Sequence, residues 1–363
     1  MSSRAGYRLG CALLALTVAC GSPPAPAYVR ENEIALAQSK RGQHAQAAQS
    51  YERAAAAAAG QPRDAEEARF RAAESYARAG DEEHARALLE ALAKDARDLE
   101  RRARADFAVA DLLEHAGQDQ AADERRVAAL GRHPASGNAR AALTRHLDYL
   151  REHGGSTAVL TFLDAEHTRL ANSELGEAVC YFRARELDDT GQTVQARDGY
   201  LDCADRYGYP RGLYWDDALF RAAEKEVALG TPERAIAHLE KLLSERESAN
   251  LVGSYERGRY AEAQLKLGEI YRDALHDPSR ARRELRKVWS NHPKSRLADD
   301  ALFEEALLAH GQQDEPGTCE PLAIIVQQLP DSRYAACAHD LCARLPAGAR
   351  PCHDYIKRAA GIP

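Results

Sequence analysis

A repeat of about 33 residues, marked mainly by small side chains, runs through most of this chain and constrains its fold more than any other feature. The clearest unit begins at position 103. We number the places of each unit from its first residue. The marker residues of this unit stand at places 7, 8, 11, 15, 20, 27 and 32, and they are Val109, Ala110, Leu113, Gly117, Ala122, Ala129 and Pro134. A repeat of this length indicates stacked helical hairpins, because one hairpin cannot bury its own apolar face. The sequence therefore predicts an all-α solenoid that binds along a groove.

The small residues recur at fixed places, and each place has a physical role. Place 15 is glycine, which takes the positive φ angle that ends the first helix, helix A. It is occupied by Gly42, Gly80, Gly117, Gly191 and Gly230. Alanine at places 8 and 20 lets the two helices approach closely, and proline at place 32 stops the second helix, helix B. Two units depart from the pattern. We expect Gly154-Gly155 to lengthen the turn of the fourth unit and Pro316-Gly317 to interrupt the eighth.

The run Leu267-Gly268-x-x-Tyr271, with the glycine, alanine, aromatic and proline series, resembles the tetratricopeptide repeat family. The likeness covers residues 28–345. It implies a right-handed α-solenoid of about eight hairpins, followed by a capping tail at 346–363. An irregular α-solenoid or helical bundle of another kind is the alternative.

The start of the chain has the pattern of an export signal. Arg4 and Arg8 precede an apolar run that is too short to span a bilayer. The run ends in Leu-Thr-Val-Ala-Cys at 16–20, which resembles the lipobox of bacterial lipoproteins. That resemblance implies removal of residues 1–19, acylation of Cys20, and a proline-rich spacer at 20–27. With no Asp after the cysteine, it also implies an outer-membrane lipoprotein facing the periplasm. The alternative is an ordinary signal peptide cut nearby.

Composition argues against nucleic acid and against anionic lipid as the main ligand. The formal net charge is −7, and no basic stripe is present. Contact with a membrane is therefore expected only through the lipid anchor.

Six cysteines remain after Cys11 and Cys20 are set aside, and an even number suits a disulfide framework. Cys180 and Cys203 lie at nearly equal distances on either side of Gly191, so they fall at the same height on antiparallel helices and are predicted to pair. They could instead be small buried apolar residues. The four near the carboxyl end allow three pairings, which spacing cannot decide: Cys319, Cys337, Cys342 and Cys352. With His339 and His353 they could instead form a zinc site, although the spacing fits no common zinc pattern.

No familiar catalytic motif is present, so no enzyme activity, cofactor or metal is predicted. The acidic pairs Asp216-Asp217 and Asp299-Asp300 are interpreted as helix-opening residues, because carboxylates are favourable near a helix N-terminus.

The candidate binding residues follow from counting along helix A. In the family that the chain resembles, places 2, 5, 9 and 12 line the concave groove. Place 5 is aromatic in five units: Phe70, Phe107, Tyr181, Phe220 and Phe303. The charged candidates nearby are Arg104, Asp111 and Arg185. We hypothesise an aromatic series that binds an extended or helical peptide. The alternative is that place 5 is aromatic because it packs against the neighbouring unit.

The segments Tyr-Trp-Asp-Asp-Ala-Leu-Phe at 214–220 and Leu-Ala-Asp-Asp-Ala-Leu-Phe at 297–303 resemble a subgroup of bacterial envelope proteins. This subgroup includes the repeat lipoprotein of outer-membrane β-barrel assembly and the periplasmic partner of the Tol–Pal system. The resemblance implies a lipid-anchored scaffold that binds envelope proteins or peptide segments. One alternative is a structural lipoprotein that binds peptidoglycan or a wall-remodelling enzyme. A weaker one is an enzyme whose site is not recognised.

Overall fold

The computed structural model describes residues 23–58, 60–245, 257–348 and 351–361, and these contain helices and no strand. The predicted signal and Cys20 lie outside the described residues. The chain divides into two compact units, Met1–Asn138 and Ala139–Pro363. None of the described helices is both long and apolar enough to span a bilayer.

The first unit consists of three helical hairpins. Its helices are α1 (Pro26–Lys40), α2 (His44–Ala57), α3 (Pro62–Arg78), α4 (Glu82–Asp95), α5 (Leu99–His115) and α6 (Asp119–Arg132). Each helix packs against the next along the chain. In this unit the odd-numbered helices are the A helices and the even-numbered ones the B helices; from α8 onward, the even-numbered helix of each hairpin is its A helix.

The second unit contains five further hairpins and a terminal cap. The fourth hairpin is α7 (Ala139–Arg169), which is broken at Gly155. The next four are α8 (Gly176–Asp189) with α9 (Thr193–Arg206), α10 (Trp215–Ala228) with α11 (Pro232–Ser244), α12 (Tyr260–Asp273) with α13 (Pro278–Asn291), and α14 (Ala298–Gly311) with α15 (Glu315–Gln328). A 3-10 turn (Ala335–Cys337), α16 (Ala338–Leu341) and α17 (Asp354–Ala360) form the cap. The described residues thus contain eight hairpins, as predicted.

Two local expectations were wrong. The turn of the fourth hairpin is not lengthened, because only Gly155 leaves the helical region, with φ 65° and ψ −170°. Pro316-Gly317 does not interrupt the eighth hairpin either. Proline is compatible with the first turn of a helix, and here Pro316 is the second residue of α15. The Asp314 side chain caps this helix by accepting a hydrogen bond from the Gly317 N–H.

The turns between helices confirm the role assigned to place 15. All five glycines at that place have φ between 70° and 82°. Where the repeat lacks this glycine, another residue takes the left-handed conformation: His276 with φ 51° and Gln313 with φ 60°. The turn geometry is therefore kept even where the sequence marker is missing.

Close helix packing depends on the small residues at places 8 and 20. The alanines there are fully buried, as at Ala184, Ala196, Ala223 and Ala235. Gly268 occupies place 8 of the seventh hairpin, and a Cβ atom at this position would lie 2.7 Å from Cγ of Leu285 on α13. This glycine is required because the facing leucine already fills the space.

Gly268→Ala is therefore expected to destabilise the protein by about 1–3 kcal/mol, the usual cost of overpacking. Gly131→Ala is the matched control, because a Cβ atom on this α6 residue would meet nothing within 4 Å. Since alanine is the better helix former, the control should be neutral or up to about 1 kcal/mol more stable. Chemical denaturation of both variants measures the difference. Equal stabilities would contradict the packing argument.

One disulfide connects the cap to the eighth hairpin, and a second lies within the cap. Cys319 pairs with Cys342 and Cys337 with Cys352, with Cα atoms 5.4 and 4.5 Å apart. The paired cysteines form a buried cluster with Leu322 of α15 and Ile356 of α17. The structure thus selects one of the three pairings, and in it these sulfurs are not free to bind zinc. Cys180 pairs with Cys203, the pair for which the sequence argues.

The segment before α1 is held by one side chain. Gln61, next to the start of α3, accepts a hydrogen bond from the Ala25 N–H at 3.1 Å. Its amide nitrogen donates to the Pro23 carbonyl at 2.7 Å. Residues 23–25, part of the predicted proline-rich spacer, therefore dock against the junction of the first two hairpins.

Candidate functional site

The five place-5 aromatic residues, for which the sequence offers partner binding and packing against the neighbouring unit as alternatives, are buried. Their exposed fractions are only 4–6%. They lie on the A helices at the counted positions: Phe70 on α3, Phe107 on α5, Tyr181 on α8, Phe220 on α10 and Phe303 on α14. Only a small part of each ring is accessible, and Phe220 lines a cavity between α10 and α12. Their burial agrees with the alternative that place 5 packs against its neighbours.

Each ring is covered by a second group, and in four cases that group comes from the chain that follows the hairpin. The covering groups are Arg104 over Phe70 at 4.3 Å, Tyr214 on Tyr181 at 4.4 Å, Arg259 over Phe220 at 4.9 Å and Tyr334 on Phe303 at 4.1 Å. The ring of Phe107 makes an edge-on contact with the ring of His133, which lies at the end of the same hairpin. Rings covered by guanidinium or aromatic groups are stabilised by cation–π and stacking contacts. The accessible surface here is therefore formed by the covering groups.

Ion pairs link the A helices to the next part of the repeat along this face of the second unit. The pairs are Arg151–Glu186, Lys225–Asp188, Arg259–Asp217, Arg272–Glu304 and Arg333–Asp300. We call this set the ion-pair row. Four pairs connect one hairpin to the next, and the fifth connects Arg333, which lies between α15 and the cap, to Asp300 of α14. Its mixed charge gives a polar surface on which a partner can exchange ion pairs.

Burial shifts the titration of several groups in and beside the row. Desolvation, with a hydrogen bond donated to Asp217, raises the pKa of Tyr181 far above its usual value. Burial likewise raises the pKa of Tyr214 and, against the opposing charge of Arg272, that of Glu304. The two phenols are therefore neutral hydrogen-bonding groups at physiological pH.

Two cavities open between A helices of the second unit. The larger, about 420 Å³, lies between the first half of α7 and α8. Leu147 and Phe182 provide its apolar surface, and Arg151, Arg185, Glu186 and Asp189 surround them. The smaller, about 320 Å³, lies between α10 and α12 and is lined by Arg221, Glu224, Arg259 and Glu262 among others. An apolar floor with charged walls can hold a side chain of a bound segment.

The three charged candidates lie in different environments. Arg185 lines the larger cavity, with 61% of its side chain exposed, and its nearest acid is Asp189 at 3.9 Å. Arg104 covers a ring and is half-buried, and Asp111 is 3.8 Å from Arg126. Arg185 is therefore the charged candidate that lines the larger cavity.

Sequence reasoning missed Phe182 and Arg151, which share that cavity. Phe182 directly follows place 5, so its aromatic character could have been noted. Arg151 belongs to the fourth unit, where the repeat is least regular.

The fold defines a class: a protein built from stacked helical hairpins with a repeated polar face. Residues 67–98 and 262–295 match the family model described as the tetratricopeptide repeat. These segments correspond to most of α3–α4 and α12–α13, so these two hairpins are tetratricopeptide repeats, a fold typical of protein-interaction scaffolds. No curated protein matches the chain in sequence.

Solved structures with similar hairpins include several bacterial proteins. The C-terminal part of a TPR repeat-containing protein from Cytophaga hutchinsonii is 14% identical, with a TM-score of 0.44 over 74% of this chain and 98% of that one. PilW, a type IV pilus biogenesis factor, is 16% identical, with a TM-score of 0.38 over 65% and 98%. PilF of Pseudomonas aeruginosa is 15% identical, with a TM-score of 0.39 over 65% and 96%. Similarity at this level carries no information about function.

Proposed function

We propose that the chain is a scaffold that binds a protein segment along the A helices of its second unit, and that it is not an enzyme. The larger cavity between α7 and α8 carries the proposal, because it combines an apolar floor with exposed, weakly paired Arg185. The ion-pair row continues from this cavity towards α14 and supplies further polar contacts. A bound segment would place an apolar side chain on Phe182 and its polar groups along the row.

We further propose that the scaffold is lipid-anchored through Cys20 in the outer membrane, facing the periplasm. Support comes from the sequence alone, in the charged start, the short apolar run and the lipobox-like residues before Cys20. The three disulfides are consistent with an oxidising compartment such as the bacterial periplasm. The proposed partners are therefore other proteins of the cell envelope.

Site-specific photo-crosslinking in a cell that exports the protein tests this proposal. A photoreactive residue at Arg185 or Glu262 lies on the proposed face, whereas one at exposed Glu240 of α11 lies on a B helix and is the control. We expect a discrete protein adduct from the two face positions only, identified by mass spectrometry. The probe is placed at surface residues because the place-5 rings are buried.

Equal labelling from all three positions would contradict binding along this face. Adducts with peptidoglycan fragments in place of protein would favour the wall-binding alternative. In the same cells, a Cys20→Ser chain should leave the membrane fraction if the anchor is correct. If the Cys20→Ser chain remains in the membrane fraction, the lipid-anchor proposal is wrong. This outcome is independent of the crosslinks, which test the scaffold proposal.

A further inference from the structure

A group of metal-ligating side chains lies beside the Cys180–Cys203 disulfide, away from the proposed binding face. His167 comes from the end of α7, Cys180 from α8 and Asp202 from α9. His167 Nε2 is 3.7 Å and Cys180 Sγ is 3.8 Å from Asp202 Oδ2, and the three donor atoms lie within 4.8 Å of one another. Three helices therefore bring an imidazole, a sulfur and a carboxylate to one point.

These distances can be compared with those of a tetrahedral zinc site. Zinc bond lengths of about 2.0–2.3 Å place neighbouring ligand atoms roughly 3.3–3.8 Å apart. The two distances to Asp202 already fall at or near this range. Only the third, between imidazole nitrogen and sulfur, would have to shorten, by at most about 1–1.5 Å. The missing requirement is chemical, because a disulfide sulfur carries no negative charge and zinc binds the thiolate.

We propose that cleavage of the Cys180–Cys203 disulfide turns this cluster into a Zn²⁺ site, with His167, Cys180 and Asp202 as ligands. Cys203, released in the same step, is the nearest further donor for the fourth position. The site would bind metal in the reduced protein and lose it on oxidation.

The redox step requires a dithiol reductant, and it balances as follows. One thiolate of the reductant attacks a disulfide sulfur, and its second thiol resolves the mixed disulfide. The reductant becomes a disulfide, and the protein gains two electrons and two protons as two thiols. Zn²⁺ then displaces the thiol protons. Oxidation reverses the sequence and releases the metal.

The surroundings suit such a complex. Two thiolates and one carboxylate would leave the bound Zn²⁺ site with a net charge of −1. Arg206 donates to Asp202 Oδ1 at 2.8 Å, which offsets that charge, orients the carboxylate and leaves Oδ2 for the metal. Cys180 is buried, whereas His167 and Asp202 are partly exposed and provide a route for the ion from solvent.

The single variant Cys203→Ser tests the site without any reductant, because it frees Cys180 and keeps both cap disulfides. Titrated with Co²⁺, the folded variant should bind one ion and develop a sulfur-to-cobalt charge-transfer absorption band. Adding His167→Ala to this background should weaken binding by at least about tenfold. Circular dichroism confirms that both proteins remain helical. Absence of the band in folded Cys203→Ser protein, or equal affinity after His167→Ala, would overturn the proposal.

If Cys203→Ser does not fold, the wild-type protein provides a second measurement. After reduction, Zn²⁺ should slow the reoxidation of Cys180 and Cys203 by at least about tenfold. The rate is measured by alkylating the free thiols at intervals and identifying the individual peptides by mass spectrometry. In the His167→Ala protein, treated identically, the same Zn²⁺ concentration should slow reoxidation much less. The same Zn²⁺ effect in both proteins, or none in the wild type, would also overturn the proposal.

Discussion

Asp106→Ala is expected to destabilise the third hairpin by about 3 kcal/mol, the lower end of the cost of breaking a buried charge pair. Asp106 is 2% exposed and accepts hydrogen bonds from Arg125 Nε at 2.8 Å and Arg132 Nη2 at 2.7 Å. His133 Nε2 lies 3.2 Å away on the same carboxylate. The cost should stay near the lower end because half of the Arg132 side chain is exposed and can regain water.

Amide hydrogen exchange is the suitable measurement, because the loss should be confined to α5 and α6. The protected amides of these helices should exchange about 100-fold faster, while those of α8–α15 stay unchanged. Glu124→Gln, an exposed change on the same α6 helix, should alter stability by less than about 0.5 kcal/mol. If Asp106→Ala behaves like Glu124→Gln, then Asp106 is not the centre of a stabilising network.

The second large effect concerns the cap. The double variant Cys337→Ser/Cys352→Ser removes a crosslink between residues 15 apart in sequence, and a loop of this length contributes about 3 kcal/mol. Cys352 is also the residue that brings α17 to the buried cluster around Leu322. We therefore expect α17 to detach and the apolar face of α15 to become accessible.

Limited proteolysis measures this detachment as faster cleavage after Lys357 and Arg358. The companion variant Cys180→Ser/Cys203→Ser breaks a crosslink in the fifth hairpin and should leave cleavage at α17 unchanged. If both double variants accelerate cleavage equally, the protection of α17 depends on overall stability and not on its own disulfide.

The repeat spacing was sufficient to predict the hairpins, because its markers act locally. A glycine at place 15 ends its helix whatever lies around it, so Gly191 and Gly230 could be interpreted without any tertiary information. The exceptions arise where context overrides the marker. His276 and Gln313 take positive φ without being glycine, and Gly154-Gly155 gives a one-residue break where two glycines suggested a longer turn.

The site was harder to predict than the fold. Counting places in the repeat shows on which face of the helix a residue lies, but not which side chains pack over it. Phe220 lies where the count puts it, yet Arg259 lies over its ring from a position 39 residues later. That distance spans a whole repeat and the segment before α12, so no local pattern indicates it. Arg185 was found because counting puts it at place 9 of its unit, whereas Phe182 was missed because its role depends on the neighbouring helix α7.

The contact between Gln61 and residues 23–25 bears on how far an anchored scaffold could extend from a membrane. A spacer of residues 20–27 would extend by about 3.3–3.6 Å per residue. With residues from Pro23 onward docked or helical, five of those eight residues no longer contribute, and the maximum reach falls by roughly 17 Å. A chain attached at Cys20 would then hold its first hairpins close to the lipid headgroups. Gln61→Ala would release residues 23–25 and so lengthen the spacer without altering any helix. One amide side chain would then set the distance from the membrane at which the scaffold meets its partners.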